Sequence, residues 1–400
     1  MKTNLSISQT ISIVLSWVMC VTQLQGALNL GNTSIIICGV WLIVTLSAFK
    51  VELSIILRER RFLYLLVFLV FYFLSSSLNN SIIISVNRCM AFISVISPIL
   101  VFETLKDKSE KLKKLFIVTF FVVFGIDIYL SYSFLTLMDE TNLRQGNTEY
   151  TSLFYILTIV FNLCFVFSLL IPCLIDIVIN NKKLETIKRL LILLVAVGLF
   201  LFLCKAQFMT AIMLSLIGCI VAWFYKYGKK SIVAVGIALA LCGFAFVSFY
   251  PSLRNSVDKW GEYQTIIYRL DEIHAVLTGN KSDASDMNTR QDLSMMSFNT
   301  FMRNPIIGVN HKISSDYHVN EQGIGNHACW LDFLAYYGLF SIFIFLFIWK
   351  SLSKQKQYTG KLLPVILFVV LGFLDPLWYF PQLATIYLLV PLLYDVASAS

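Results

Sequence analysis

The stretch Phe62–Phe102, FLYLLVFLVFYFLSSSLNNSIIISVNRCMAFISVISPILVF, decides the fold. It holds two apolar runs, Phe62–Leu78 and Ile82–Phe102, separated only by Asn79, Asn80 and Ser81, with Arg88 the single charge in either run. Each run is long enough to cross a hydrocarbon core of about 30 Å as a helix. A helix can lie in lipid because it satisfies its own backbone hydrogen bonds.

Outward from this pair the same pattern repeats. Towards the N-terminus lie Ile11–Leu24 and Ser34–Phe49. Towards the C-terminus lie Leu115–Phe134, Leu153–Ile179, Leu190–Cys204, Phe208–Tyr225, Ser231–Tyr250, Leu331–Trp349, Leu362–Phe373 and Leu383–Val396. The expected fold class is an all-α integral membrane protein of about twelve transmembrane helices. Ile11–Leu24 is read as a retained helix, since no small-residue cleavage pattern follows it. Composition agrees: 58% of residues are hydrophobic and 14% charged, against about 25% charged in soluble domains.

Lys and Arg in the short loops orient the chain. The segments Lys50–Arg61, Glu103–Lys114, Asn180–Arg189, Tyr225–Lys230 and Lys350–Lys361, with Lys2, hold 21 of them, whereas the intervening short loops hold only Arg144 and Lys205. Both termini are therefore expected in the cytoplasm. The net charge of +8 follows from this asymmetry, and it points to topology and anionic lipid, with no nucleic acid partner expected. The nine cysteines show no CxxC and read as small apolar packing residues.

One segment departs from the pattern. The chain divides into a transmembrane scaffold of about nine helices (residues 1–250), a large extracytoplasmic loop (251–330) and C-terminal transmembrane helices (331–400). The loop carries all four histidines, His274, His311, His318 and His327, with seven Lys/Arg and nine Asp/Glu. Within it, Gln291–Met302 reads as an amphipathic helix on the membrane surface. His274, His311 and His318 are read as ordinary loop residues.

The chain has no phosphate-cradling glycine loop with Lys-Ser or Lys-Thr, no HExxH and no DxD. Nucleotide hydrolysis and metal chemistry are not expected, and any bound phosphate must be held by Arg or Lys. Charges at membrane depth are costly, about 2.5–3.5 kcal/mol for Arg at a helix centre. In the expected topology Arg88, Asp127, Lys205 and Asp375 all fall in the outer half of the bilayer. That one-sidedness suggests a polar pocket open to the outer leaflet. The plainer alternative is an Arg88–Asp127 ion pair with snorkelling ends. In MRNPIIGVNHKISSDYHVNEQGIGNHACWLDFLAYYGLFSIFIF, from Met302 to Phe345, a glycine-rich approach leads to His327 at the mouth of a span. A histidine there can serve as a general base.

The order Arg290, then Asn304-Pro305-Ile306-Ile307-Gly308, then His327 followed by Leu331, Leu334 and Gly338 resembles the signature of the O-antigen polymerase and O-antigen ligase superfamily. The segment from Leu201 through Lys205 to Met213 resembles the family's Arg-containing entry into a helix. Here Lys205 stands for the Arg, Ala328 in place of Asn follows His327, and Val309 follows Gly308. Lys keeps the charge and loses bidentate phosphate contact.

The resemblance implies a cofactor-free, metal-independent, inverting glycosyl transfer at the outer face of a bacterial cytoplasmic membrane. The donor would be an undecaprenyl-pyrophosphate-linked oligosaccharide. His327 and Arg290 would be catalytic, and Lys205, Arg88 and Arg303 would bind the pyrophosphate. A flippase and a chain-length regulator would be partners. A polymerase is the first reading and a ligase acting on a lipid A core the nearest alternative. A flippase or transporter would show two similar halves, which the sequence lacks.

Overall fold

The computed structural model describes residues 6–21, 33–78, 80–105, 110–137, 151–181, 184–206, 208–225, 230–257, 286–310, 323–359, 362–374 and 381–399, with short pieces at 270–271, 273–275, 277–278 and 377. Among the described residues all regular structure is helical. The elements are α1 (Ile7–Val21), α2 (Thr33–Ile56), α3 (Arg60–Ser77), α4 (Ile82–Leu105), α5 (Glu110–Leu137), α6 (Thr151–Asn180), α7 (Thr186–Lys205), α8 (Met209–Tyr225), α9 (Lys230–Val257), α10 (Asp286–Arg303), α11 (Cys329–Tyr337), α12 (Ser341–Thr359), α13 (Leu363–Leu374), α14 (Pro381–Ala384) and α15 (Val390–Ala399). A 3-10 turn, Gly338–Phe340, joins α11 to α12, and a π-helical segment, Thr385–Leu389, joins α14 to α15.

Over the described residues, each apolar run named above forms helix along most of its length. Among the described residues, six stretches are long and apolar enough to cross a membrane: Ile36–Ile56, Arg60–Ser77, Ile82–Leu105, Leu163–Asn180, Thr186–Lys205 and Cys329–Lys354. Four shorter helices, Ile7–Cys20, Met209–Phe224, Leu363–Leu374 and Gln382–Tyr394, are predominantly apolar. These helices give the chain the character of a multi-pass helical membrane protein.

Several boundaries move for local reasons. α2 runs past the expected end at Phe49, kinked there (φ −137°, ψ 32°), because Val51, Leu53, Ile55 and Ile56 continue the apolar sequence. α9 continues through Pro251 to Val257. The expected span Leu331–Trp349 is two helices with a break at Gly338, whose φ is +58°.

The core gathers around the chain's end. Thr385 to Leu389 are all buried and pack on α4, α6, α12 and α13. α1 sits among α2, α4 and α5. There Ser12 and Thr45 share a hydrogen bond of 2.7 Å, and the Trp17 indole N–H donates to the Phe116 carbonyl at 3.1 Å. Such polar contacts matter between helices in lipid, where apolar burial gives little discrimination. α7, by contrast, presents most of its apolar surface outward.

Candidate functional site at one end of the bundle

Polar side chains collect at opposite ends of α3 and α4. At one end Arg61 is almost wholly buried (4% exposed) and is held by Glu59 (2.8 Å), Glu103 (3.0 Å) and the Tyr387 hydroxyl (2.6 Å). Lys354 reaches Glu103 at 2.8 Å, and the Tyr387 hydroxyl donates to Glu103 as well. This cluster ties together three segments expected to lie on the cytoplasmic side, Lys50–Arg61, Glu103–Lys114 and Lys350–Lys361. Its charges are mutually matched, so it acts as a clamp. The π-helical turn at Thr385–Leu389 carries Tyr387 into it, a use consistent with where π-turns tend to occur.

At the other end, roughly 22 Å away at 1.5 Å per residue, stand Ser76 on α3 and Arg88 on α4. Arg88 is half-buried, and its guanidinium donates to the Ser76 hydroxyl at 3.3 Å. No carboxylate among the described residues pairs with it. The Arg88–Asp127 pair that the sequence allowed does not form. Asp127 is buried on α5, and its charge bears on Cys20 of α1. Instead the Arg88 charge bears on the Tyr336 hydroxyl, and that hydroxyl donates to the Asn326 side-chain oxygen at 3.1 Å. Asn326 immediately precedes His327.

The segment carrying His327 is held by local chemistry. The segment Gln291–Met302 is helical as part of α10, with Met295, Phe298 and Met302 exposed along one side. Its other side, Leu293, Ser297 and Thr300, meets the loop before α11. The Gly325 N–H donates to the Ser297 hydroxyl at 2.9 Å, and the Thr300 hydroxyl donates to the Gly323 carbonyl at 2.6 Å. After α10, the Asn304–Gly308 turn docks on the end of α11, with the Val309 N–H on the Ala335 carbonyl (3.0 Å) and the Leu339 N–H on the Pro305 carbonyl (2.7 Å). The Asn310 amide then donates to Ser75 of α3 at 2.6 Å. The loop motif therefore sits on the same end of α3 and α4 as Arg88.

The expected site residues fall into two groups. Arg88 and His327 share a neighbourhood through Tyr336 and Asn326. Arg290 is half-buried on α10, one turn before Leu293, whose carbonyl lies against Gly325. Arg290, Leu293, Ser297 and Thr300 follow a 3–4 residue spacing and so share one helix face. Arg303 is exposed at the far end of α10, about 20 Å from Arg290 along the axis. Lys205 is exposed at the end of α7, which packs on α6 and α8. Asp375, His311, His318 and Arg144 lie outside the described residues. His274 stacks on Tyr250, with ring centroids 3.9 Å apart, beside an Arg254–Asp271 pair at 2.8 Å. That contact gives it a packing role at the end of α9.

Sequence reasoning missed Asp332, Ser297, Tyr336 and Asn326. One signal was present: Asp332 is a carboxylate near the start of an apolar span, and such a residue asks for a partner. No family model, curated protein or solved structure matches the chain. The fold and the site thus define the class, a multi-pass helical membrane protein with a polar site at one end of its bundle.

Proposed function

We propose that the protein is a polymerase of undecaprenyl-pyrophosphate-linked oligosaccharide repeats in a bacterial cytoplasmic membrane. In this reading about twelve helices span the bilayer, both termini are cytoplasmic, and the loop over residues 251–330 faces outward. The observation that carries it is Arg88: a half-buried arginine with no carboxylate partner among the described residues, set beside the loop that bears His327. An arginine at membrane depth is costly, and an anion recruited from the substrate would offset that cost. The matched clamp at the opposite end supports the same orientation, because it gathers the lysine- and arginine-rich segments.

In the proposed reaction the acceptor hydroxyl attacks the anomeric carbon of the donor glycan. The new C–O bond forms as the bond to pyrophosphate breaks, with inversion. His327 takes the hydroxyl proton, and the undecaprenyl pyrophosphate leaves with the bonding pair. Arg88 and Arg290 stabilise its growing negative charge. Lys205 and Arg303, both exposed, are proposed to meet the charged headgroup on its way in or out. The energy is that of the donor bond.

The test is the glycan ladder of a deletion strain complemented with wild type, His327→Ala or Arg290→Ala, with membrane abundance checked by blot. Single repeats without a ladder at normal abundance support the polymerase. Full-length polymer that never reaches its final lipid shows a ligase instead. An unchanged ladder with His327→Ala removes His327 from the mechanism.

A further inference from the structure

We propose that Asp332 and Ser297 form a positioning pair that fixes the His327 loop against α10, an inference that rests on the reading of His327 as the base. Asp332 is buried (4% exposed) one turn into α11, and Ser297 is fully buried on α10. One carboxylate oxygen accepts the Ser297 hydroxyl at 2.6 Å, and the other accepts the Ala328 N–H at 3.2 Å. A backbone bond from Asn326 also reaches Asp332. The Ser297 oxygen in turn accepts the Gly325 N–H at 2.9 Å.

The backbone N–H groups of Gly325, Asn326 and Ala328 are therefore all engaged by one carboxylate–hydroxyl pair. A carboxylate with several donors of this kind can remain in an apolar setting, because its charge is hydrogen-bonded throughout. With its side chain closed to solvent, Asp332 is placed to hold the loop and not to meet the acceptor hydroxyl.

Two more features tighten the arrangement. A Cβ on Gly325 would lie 2.2 Å from the Leu293 carbonyl oxygen, so the loop backbone presses directly on α10. Asn326 takes a left-handed conformation, φ +53°, with its side chain held by Tyr336. Arg290 lies on the face of α10 that holds Ser297, two turns earlier. The pair thus sets the spacing between the helix that carries Arg290 and the loop that carries His327. Misplacement of a reacting group by about 1 Å costs on the order of 100-fold in rate.

The experiment is turnover of a lipid-linked repeat unit by purified full-length protein in lipid vesicles, for wild type, Ser297→Ala, Ser297→Cys, Asp332→Asn and His327→Ala. Hydrogen exchange is followed in parallel over residues 323–328. The expected result for Ser297→Ala and Asp332→Asn is a kcat lowered roughly 10- to 100-fold per folded molecule. The donor KM should stay within about twofold, and exchange in the loop should quicken. Ser297→Cys keeps the side-chain shape with a slightly larger atom and a weaker hydrogen bond, so it carries the same test if Ser297→Ala does not accumulate. Unchanged kcat in folded Ser297 and Asp332 variants, alongside an inactive His327→Ala, overturns the positioning role and leaves the polymerase reading standing. Wild-type turnover by His327→Ala overturns the role of His327 as base and this inference with it, leaving the polymerase activity standing, whereas no turnover by wild type overturns the polymerase reading itself.

Discussion

Gly308 and Gly338 interlock across the junction of the Asn304–Gly308 turn with the end of α11. Each has a left-handed backbone, φ +65° and +58°. A Cβ on Gly308 would lie 2.3 Å from the Tyr336 carbonyl oxygen, and one on Gly338 would lie 2.5 Å from that of Ile306. The motif that placed a glycine at each position is thus a backbone-to-backbone contact, which docks the turn after α10 on the end of α11.

Gly308→Ala combines a strained φ, worth about 1–3 kcal/mol, with a clash against backbone that cannot swing away. Its membrane abundance should fall several-fold on a blot. Gly198→Ala, where nothing lies within 4 Å of the new methyl group, should accumulate like wild type. Equal abundance of the two variants would mean that the junction yields more readily than its geometry implies.

Arg61 is buried among Glu59, Glu103 and Tyr387, while the nearby Arg58 is exposed. Removing one partner of a buried ion pair costs about 3–5 kcal/mol. Arg61→Met should therefore lower the melting temperature in detergent strongly, and Arg58→Ala should stay within about 0.5 kcal/mol of wild type. Tyr387→Phe should fall between them, since it deletes one hydroxyl shared by Arg61 and Glu103.

Gln382 is fully buried, and neither atom of its amide has a hydrogen-bond partner among the described residues. A buried polar group left unsatisfied costs about 1–3 kcal/mol. Replacing it with an apolar side chain of similar volume, Gln382→Met, should raise the melting temperature. A drop would point to a polar partner for Gln382 in the membrane.

Among the described residues Arg88 is bonded only to Ser76, by a long contact, so Arg88→Ala should accumulate normally. In the complemented deletion strain its ladder should nevertheless collapse towards single repeats. Arg88→Lys should retain part of the ladder, because a lysine keeps the charge without the bidentate fork. Arg303→Ala, exposed and about 20 Å from Arg290 along α10, should have the weaker effect.

Single cysteines at Gln291 and at Arg58, in a background without native cysteines, test the orientation. A membrane-impermeant maleimide added to intact spheroplasts should label Gln291→Cys. It should spare Arg58→Cys until the membrane is opened.

The helices were legible because each is a local property: an unbroken apolar run of the right length can satisfy its backbone only as a helix in lipid. The cationic loops were legible for the same reason, as was the glycine-rich approach to His327. What the sequence left open was which distant side chains meet. Arg61 read as one of many loop cations, and only packing against α4, α12 and the π-helical turn makes it the centre of a clamp. Arg88 and Asp127 looked like partners by depth, yet depth leaves the facing direction of each helix undetermined. Rotation about the helix axes turns Asp127 towards α1 and Arg88 towards Tyr336. Asp332 and Ser297 are 35 residues apart with no shared periodicity, so nothing local foretells their bond. The sequence by itself determined the helices and the asymmetry of charge between their ends. The tertiary structure alone decided which polar groups pair and which arginine is left without a carboxylate among the described residues, because that choice depends on helix rotation and close backbone approach.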